Sequence, residues 1–196
     1  MVEVKITDQA TGAVAPIGQP GEICTRSDCV MLGYFDDPAA TDRAIDDGRW
    51  LHTGDIGSMD SEGYVRVVGR LKDLIIRGGE NIYPREIEDV LFTHDAVSNA
   101  SVIGLPDEEW GEIVAAFIQL RPGTKVTASE LEAFCRQRIA SYKMPRRWVF
   151  LPEFPQTSSG KIQKFVLRDR YLAEQGGPNA GTTTALGTTS GTEARA

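Results

Sequence analysis

The stretch Gly69-Arg70-Leu71-Lys72-Asp73-Leu74-Ile75-Ile76-Arg77-Gly78-Gly79-Glu80-Asn81-Ile82-Tyr83-Pro84 decides how the chain reads. It passes from a strand end through a polar break into an apolar run, then a glycine pair, then a proline that opens a helix. Paired glycines admit positive φ and let a ligand chain approach the backbone closely. A Gly-Gly pair by itself is an ordinary turn. A unit of this length, followed by Glu86-Ile87-Glu88, is far more specific.

Upstream of this unit the chain reads as short strands joined by turns. Val2, Val4 and Ile6 alternate with polar neighbours, and Gly21 to Thr25 forms a second extended candidate. Tyr64-Val65-Arg66-Val67-Val68 follows the turn Asp60-Ser61-Glu62-Gly63 and is rich in β-branched residues. Pro38 ahead of Ala39 to Ile45 predicts a short helix with proline in its first turn. Downstream, helices and strands alternate. Ile87, Val90 and Leu91 recur at helical spacing after Pro84. Ser98 to Leu105, Ile113 to Leu120 and Trp148 to Leu151 have strand length and composition, and Lys164 to Leu172 predicts a last helix. Thr127-Ala128-Ser129-Glu130 fits a capping box ahead of the stripe Leu131, Phe134, Cys135 and Ile139. Few βαβ repeats are evident, so the fold class expected is α+β.

Composition narrows the function classes. The chain has 196 residues, 41% of them hydrophobic and 25% charged, which suits a globular core. Its net charge of -7 argues against wholesale nucleic-acid binding. No apolar run reaches the ~20 residues of a membrane helix, and the charged start does not resemble a signal peptide. Cys24, Cys29 and Cys135 form neither a disulfide framework nor a zinc set, so a cytoplasmic location is expected. His52 and His94 show no neighbouring Ser, Cys or carboxylate constellation in the sequence, and packing is the expected task of His52. No metal site is expected. Basic residues gather between 134 and 170, where only Glu153 and Asp169 oppose them. Such an excess suits a phosphorylated small molecule, or a solvated helix face.

Two more motifs carry chemistry. Thr53-Gly54-Asp55 follows Trp50-Leu51-His52, and a strand ending in Gly-Asp can present a carboxylate to vicinal hydroxyls such as those of a ribose. By itself the pair is a common turn. Pro155-Gln156-Thr157-Ser158-Ser159-Gly160-Lys161 makes a tight loop that projects one ammonium, a point charge suited to two anions meeting. A Walker phosphate loop is excluded, because Pro155 stands where its first glycine belongs and Ile162 where its Ser/Thr belongs.

Taken in order, the three motifs resemble the C-terminal part of adenylate-forming (AMP-binding) enzymes, over roughly residues 18 to 172, and within them the acyl-CoA synthetases, of fatty-acid ligase type ahead of the aromatic-acid CoA ligases. Gly21-Glu22, Gly33-Tyr34-Phe35-Asp36-Asp37-Pro38 and Thr41 extend the match upstream of Asp55. The resemblance implies three segments: 1–70, the β-rich end of the large N-terminal AMP-binding domain; 71–174, the C-terminal lid domain, a small sheet with packed helices; and 175–196, a disordered low-complexity tail. It implies that Asp55 binds the ribose hydroxyls with Arg70 assisting, and that Lys72 is the hinge. Lys161 would be catalytic, bridging carboxylate and α-phosphate. Gly78 and Gly79 would line the pantetheine tunnel, with Trp110 and Tyr142 flanking the CoA nucleotide and Lys143, Arg146 and Arg147 near its phosphates.

The implied substrates are ATP with Mg²⁺, coenzyme A and a carboxylic acid, with no tightly bound cofactor. The phosphate loop and the acyl pocket of the family lie upstream of these motifs, so the chain by itself is expected to be inactive. The chain then reads as a C-terminal fragment of such a synthetase. The competing readings are a non-catalytic lid module that binds CoA or AMP, and half of a split enzyme that acts only with a separately encoded N-terminal half as partner.

Overall fold

A computed structural model describes residues 1–175; the low-complexity stretch 176–196 lies outside the described residues. The described residues form two compact units, Met1–Phe154 and a second that begins at Pro155. The architecture is α+β, as expected from the pattern of elements.

The first unit contains two sheets. Strands β1 (Glu3–Thr7), β2 (Gly21–Arg26), β3 (Leu51–Met59) and β4 (Val65–Arg70) pair antiparallel in the order β1-β2-β3-β4. Helix α1 (Pro38–Ala44) lies between β2 and β3, with Pro38 in its first turn and the Asp37 side chain accepting from the N–H of Ala40. That cap satisfies one of the orphan donors of the first turn.

The second sheet is built on a long hairpin of β7 (Val97–Asp107) and β8 (Gly111–Leu120). A short hairpin of β5 (Ile75–Arg77) and β6 (Glu80–Ile82) joins one edge of β8, giving the order β6-β5-β8-β7. Strand β9 (Arg147–Phe150) pairs parallel with β8. Helices α2 (Pro84–Phe92) and α3 (Ala128–Arg136) cover the sheet. Ile87 and Leu91 of α2 and Leu131 and Cys135 of α3 are fully buried against Val102, Val114, Ala116 and Ile118. Alternate residues of β7 and β8 therefore supply one wall of the core and the helical stripes the other. The capping box is present: Thr127 Oγ1 accepts from the N–H of Glu130, whose carboxylate accepts from the N–H of Thr127.

The second unit holds a tight loop and helix α4 (Lys164–Gln175). Among the described residues no helix is long and apolar enough to cross a membrane.

Candidate functional site

Asp55 sits on an interruption of the first sheet. The strand carrying it does not end at Gly54-Asp55, as its sequence suggested, but runs on to Met59 through a bulge. Glu22 faces Ile56 and Cys24 faces His52, so the short step on β2 is matched by the longer Thr53-Gly54-Asp55 step on β3. Gly54 has φ +70°, which supplies the bend without a Cβ penalty. Thr53 Oγ1 donates to the Ile23 carbonyl at 2.8 Å and accepts from the Asp55 N–H at 3.1 Å. Asp55 and Arg70 are register partners across β3 and β4, and Arg70 Nε lies 2.9 Å from Asp55 Oδ1.

Behind the bulge, Glu22 Oε1 accepts from the Gly54 N–H at 3.0 Å, and Oε2 lies 2.8 Å from His52 Nδ1. Cys24 Sγ is 3.5 Å from the same nitrogen, and Asp46 Oδ2 is 3.8 Å from His52 Nε2. The structure thus corrects the expectation that His52 has no polar constellation around it. β-pairing brings together residues that the sequence keeps far apart. Glu22, Cys24 and His52 place ligand-type atoms within 4.8 Å of one another. Hydrogen bonds already account for both carboxylate oxygens. Burial pushes the Cys24 thiol up, and it stays a neutral packing group.

The glycine pair forms the turn of the β5–β6 hairpin, with φ +56° at Gly78 and +86° at Gly79. Positive φ at both central residues is what a tight two-residue hairpin turn requires. Trp110 reaches this turn from the other hairpin. Asp107 Oδ1 accepts from the N–H groups of Glu109 and Trp110, and Gly111 has φ +74°, which shapes the β7–β8 connection. The Gly78 N–H then donates to the Trp110 carbonyl at 2.9 Å.

Arg77 links the pieces. Only 8% exposed, it stacks its guanidinium 4.7 Å from the Trp110 ring centroid and donates from Nη1 to the Tyr142 carbonyl at 2.7 Å. Tyr142 lies in a 3₁₀ turn, Ser141–Lys143, and is 40% exposed. Arg146 stands 5.8 Å from the Trp110 ring. A cavity of about 290 Å³ beside these groups has Arg77, Arg146 and Arg147 in its lining against one carboxylate, Glu132, with Ser141 and Trp148 among the remainder. Lys143 is engaged differently: its ammonium pairs with Glu86 at 2.6 Å, and although burial alone would lower its pKa, the hydrogen bond and charge of Glu86, with a smaller contribution from Tyr142, hold it above the ordinary lysine value.

Lys72 is exposed on the 3₁₀ turn Leu71–Asp73 that directly follows β4. Lys161 belongs to the second unit, where a small bridge pairs Gln156 with Ile162. The N–H of Thr157 donates to the Lys161 carbonyl at 2.9 Å, the N–H of Lys161 to Thr157 Oγ1 at 3.1 Å, and Gly160 has φ +79°. The loop therefore holds its backbone to itself and leaves the Lys161 side chain exposed.

The structure thus gathers the sequence-derived residues into two groups on the first unit, Asp55 with Arg70, and Gly78 and Gly79 with Trp110 and Tyr142. Glu22 and Arg77 are the polar residues that sequence reading did not single out as functional. Their adjacency to motifs, Glu22 after Gly21 and Arg77 before Gly78, was the available signal.

Residues 86–161 match the model of the AMP-binding enzyme C-terminal domain. The chain is 50% identical over 170 residues to the putative acyl-CoA synthetase YngI of Bacillus subtilis (strain 168), a match covering 87% of this chain and 31% of that protein. It is 48% identical over 168 residues to the mitochondrial medium-chain acyl-CoA ligase ACSF2 of Bos taurus, covering 86% of this chain and 27% of the ligase. The chain belongs to the AMP-binding acyl-CoA synthetases and corresponds to their C-terminal part. The solved structure of ATP-bound MatB from Rhodopseudomonas palustris aligns with a TM-score of 0.83 at 35% identity, over 87% of this chain and 34% of that one. The chain thus spans between about a quarter and a third of the length of the proteins it matches.

Proposed function

We propose that this chain supplies the lid, the hinge and part of the nucleotide site of an ATP-dependent acyl-CoA synthetase. The synthetase acts in two half-reactions. A carboxylate oxygen attacks the α-phosphorus of ATP, giving acyl-adenylate and releasing pyrophosphate, with Mg²⁺ brought in on the nucleotide. The CoA thiolate then attacks the acyl carbonyl, giving the thioester and releasing AMP.

The observation that carries this reading is the exposed Gly78-Gly79 turn beneath the Trp110 ring, joined to Tyr142 through Arg77. A turn without side chains beside two aromatic groups and a basic-lined cavity suits an extended thiol arm that ends in a phosphorylated nucleotide. Asp55 accepts from the ribose hydroxyls, and Arg70 orients that carboxylate through the 2.9 Å pair. Lys161 places a positive charge between the two anions that must meet in the first half-reaction. Lys72 is the hinge about which the lid exchanges Lys161 for the glycine turn, so that one lid serves both steps. The acid is a fatty acid, a reading supported by the medium-chain ligases among the relatives.

The test combines this chain with a polypeptide carrying the phosphate loop and acyl pocket of a close synthetase. With ATP, Mg²⁺, a medium-chain acid and CoA, acyl-CoA and pyrophosphate are expected. CoA binding without acyl-CoA formation would reduce the chain to a binding module.

A further inference from the structure

Glu22 lies outside both groups of residues named so far, yet its carboxylate fills the gap that the β3 bulge opens in the β2–β3 ladder. Backbone pairing stops on one side at Cys24 with His52 and resumes at Glu22 with Ile56. Between them, the N–H of Gly54 has lost its strand partner and finds Glu22 Oε1 at 3.0 Å. The other oxygen meets His52 Nδ1 at 2.8 Å, just before the bulge. One carboxylate therefore holds two points of the segment immediately preceding Asp55. The Glu22 side chain is 14% exposed, so water competes little for either bond.

We infer that Glu22 is a positioning residue, which sets the left-handed turn at Gly54 and so aims the Asp55 carboxylate at the ribose diol. This rests on the assignment of Asp55 to the ribose. Asp55 makes no hydrogen bond to Glu22; the influence passes through the backbone. Glycine enters φ +70° without strain but is equally free to leave it, so hydrogen bonds from its neighbours select that conformation. Thr53 Oγ1 secures the same bulge from the Ile23 side, and Glu22 secures it from the Gly54 side.

The amide isostere separates geometry from charge. In Glu22→Gln the carbonyl oxygen still accepts from the Gly54 N–H, while the NH₂ donates to His52 Nδ1 in the tautomer that carries its proton on Nε2, towards Asp46. Glu22→Ala removes both bonds. The experiment uses the full chain in wild-type, Glu22→Ala, Glu22→Gln and Asp55→Asn forms, with two readouts.

The first readout is exchange of the Gly54 amide proton by NMR. Glu22→Ala is expected to speed it by roughly tenfold, the loss of one largely desolvated hydrogen bond, while Glu22→Gln stays close to wild type and core amides such as that of Ile118 are unmoved. The second is the ratio of affinities for AMP and 2′,3′-dideoxy-AMP. Glu22→Ala is expected to lose the preference for the ribose diol as Asp55→Asn does, and Glu22→Gln to retain it. Unchanged Gly54 exchange in Glu22→Ala, or an intact diol preference, overturns the inference. If the wild type itself shows no diol preference, the ribose assignment of Asp55 fails, and with it the aiming role of Glu22. If Asp55→Asn abolishes the preference and Glu22→Ala does not, the ribose assignment stands and the inference alone falls.

Discussion

Gly78 lies directly beneath the indole of Trp110: a Cβ built on Gly78 would stand 2.8 Å from Trp110 Cε3, while the Gly78 N–H donates to the Trp110 carbonyl at 2.9 Å. The glycine is thus required twice, by its φ of +56° and by the ring above it.

Gly78→Ala should therefore force the ring away and strain the turn, at about 1–3 kcal/mol. Urea unfolding followed by tryptophan fluorescence measures the cost and the displaced indole together. In the combined enzyme the thioester step should slow while adenylation, followed by pyrophosphate release, is spared. Equal loss of both steps would contradict a role confined to the CoA side.

Lys161→Ala should have the complementary effect. The self-contained loop hydrogen bonds at Thr157 and Gly160 involve no Lys161 side-chain atom, so the fold should be kept. Pyrophosphate release from ATP and acid should fall by about a hundredfold or more, the scale of losing one preorganised charge at a reacting centre. Thioester formation from supplied acyl-adenylate should survive.

Asp55→Asn separates binding from stability. The Asp55–Arg70 pair is exposed by 33% and 57%, so its removal should change unfolding free energy by less than about 1 kcal/mol. The diol preference for AMP, read by titration, should be lost all the same.

Thiol chemistry tests the burial pattern and its pH dependence. Cys29 is exposed, whereas Cys24 and Cys135 are buried, so a thiol reagent should label one site quickly and two only on unfolding. Burial pushes Cys135 from an ordinary value of 9.0 up to about 11. The folded protein therefore holds this proton when the unfolded chain has begun to release it. Stability from this group is complete below about pH 9 and falls as the pH rises towards 11. Urea midpoints taken on both sides of that window should drop less in Cys135→Ala than in wild type.

The capping box offers a local check on α3. Thr127→Ala removes the hydroxyl that accepts from the N–H of Glu130, and should cost about 1 kcal/mol in urea unfolding. It should leave CoA-dependent chemistry unchanged.

Much of the element list could be read from local pattern because local physics dictates it. Pro38 and Pro84 open α1 and α2, the Thr127 box opens α3, and the β-branched runs become β7 and β8. The β5–β6 hairpin is different. Its strands are three residues each, too short for a periodic signal, and the glycine pair announced a turn without saying what it joined. The continuation of β3 past Asp55 was hidden for a related reason: glycine and aspartate lower strand propensity, and only pairing with β2 and β4 carries the strand through.

The opening stretch from Gly69 to Pro84, with Asp55 and Lys161 in order around it, was enough to identify the family and the α+β class, because backbone freedom, caps and ordered motifs are properties of neighbouring residues. What only the tertiary structure decided is which distant side chains serve those motifs. Arg77 reaches the carbonyl of Tyr142 across 65 positions, Lys143 spends its charge on Glu86, 57 positions away, and Glu22 bonds Gly54 across 32. Those distances close only when the two sheets form, since strand register and the covering helices, rather than local propensity, bring such groups within reach of a hydrogen bond.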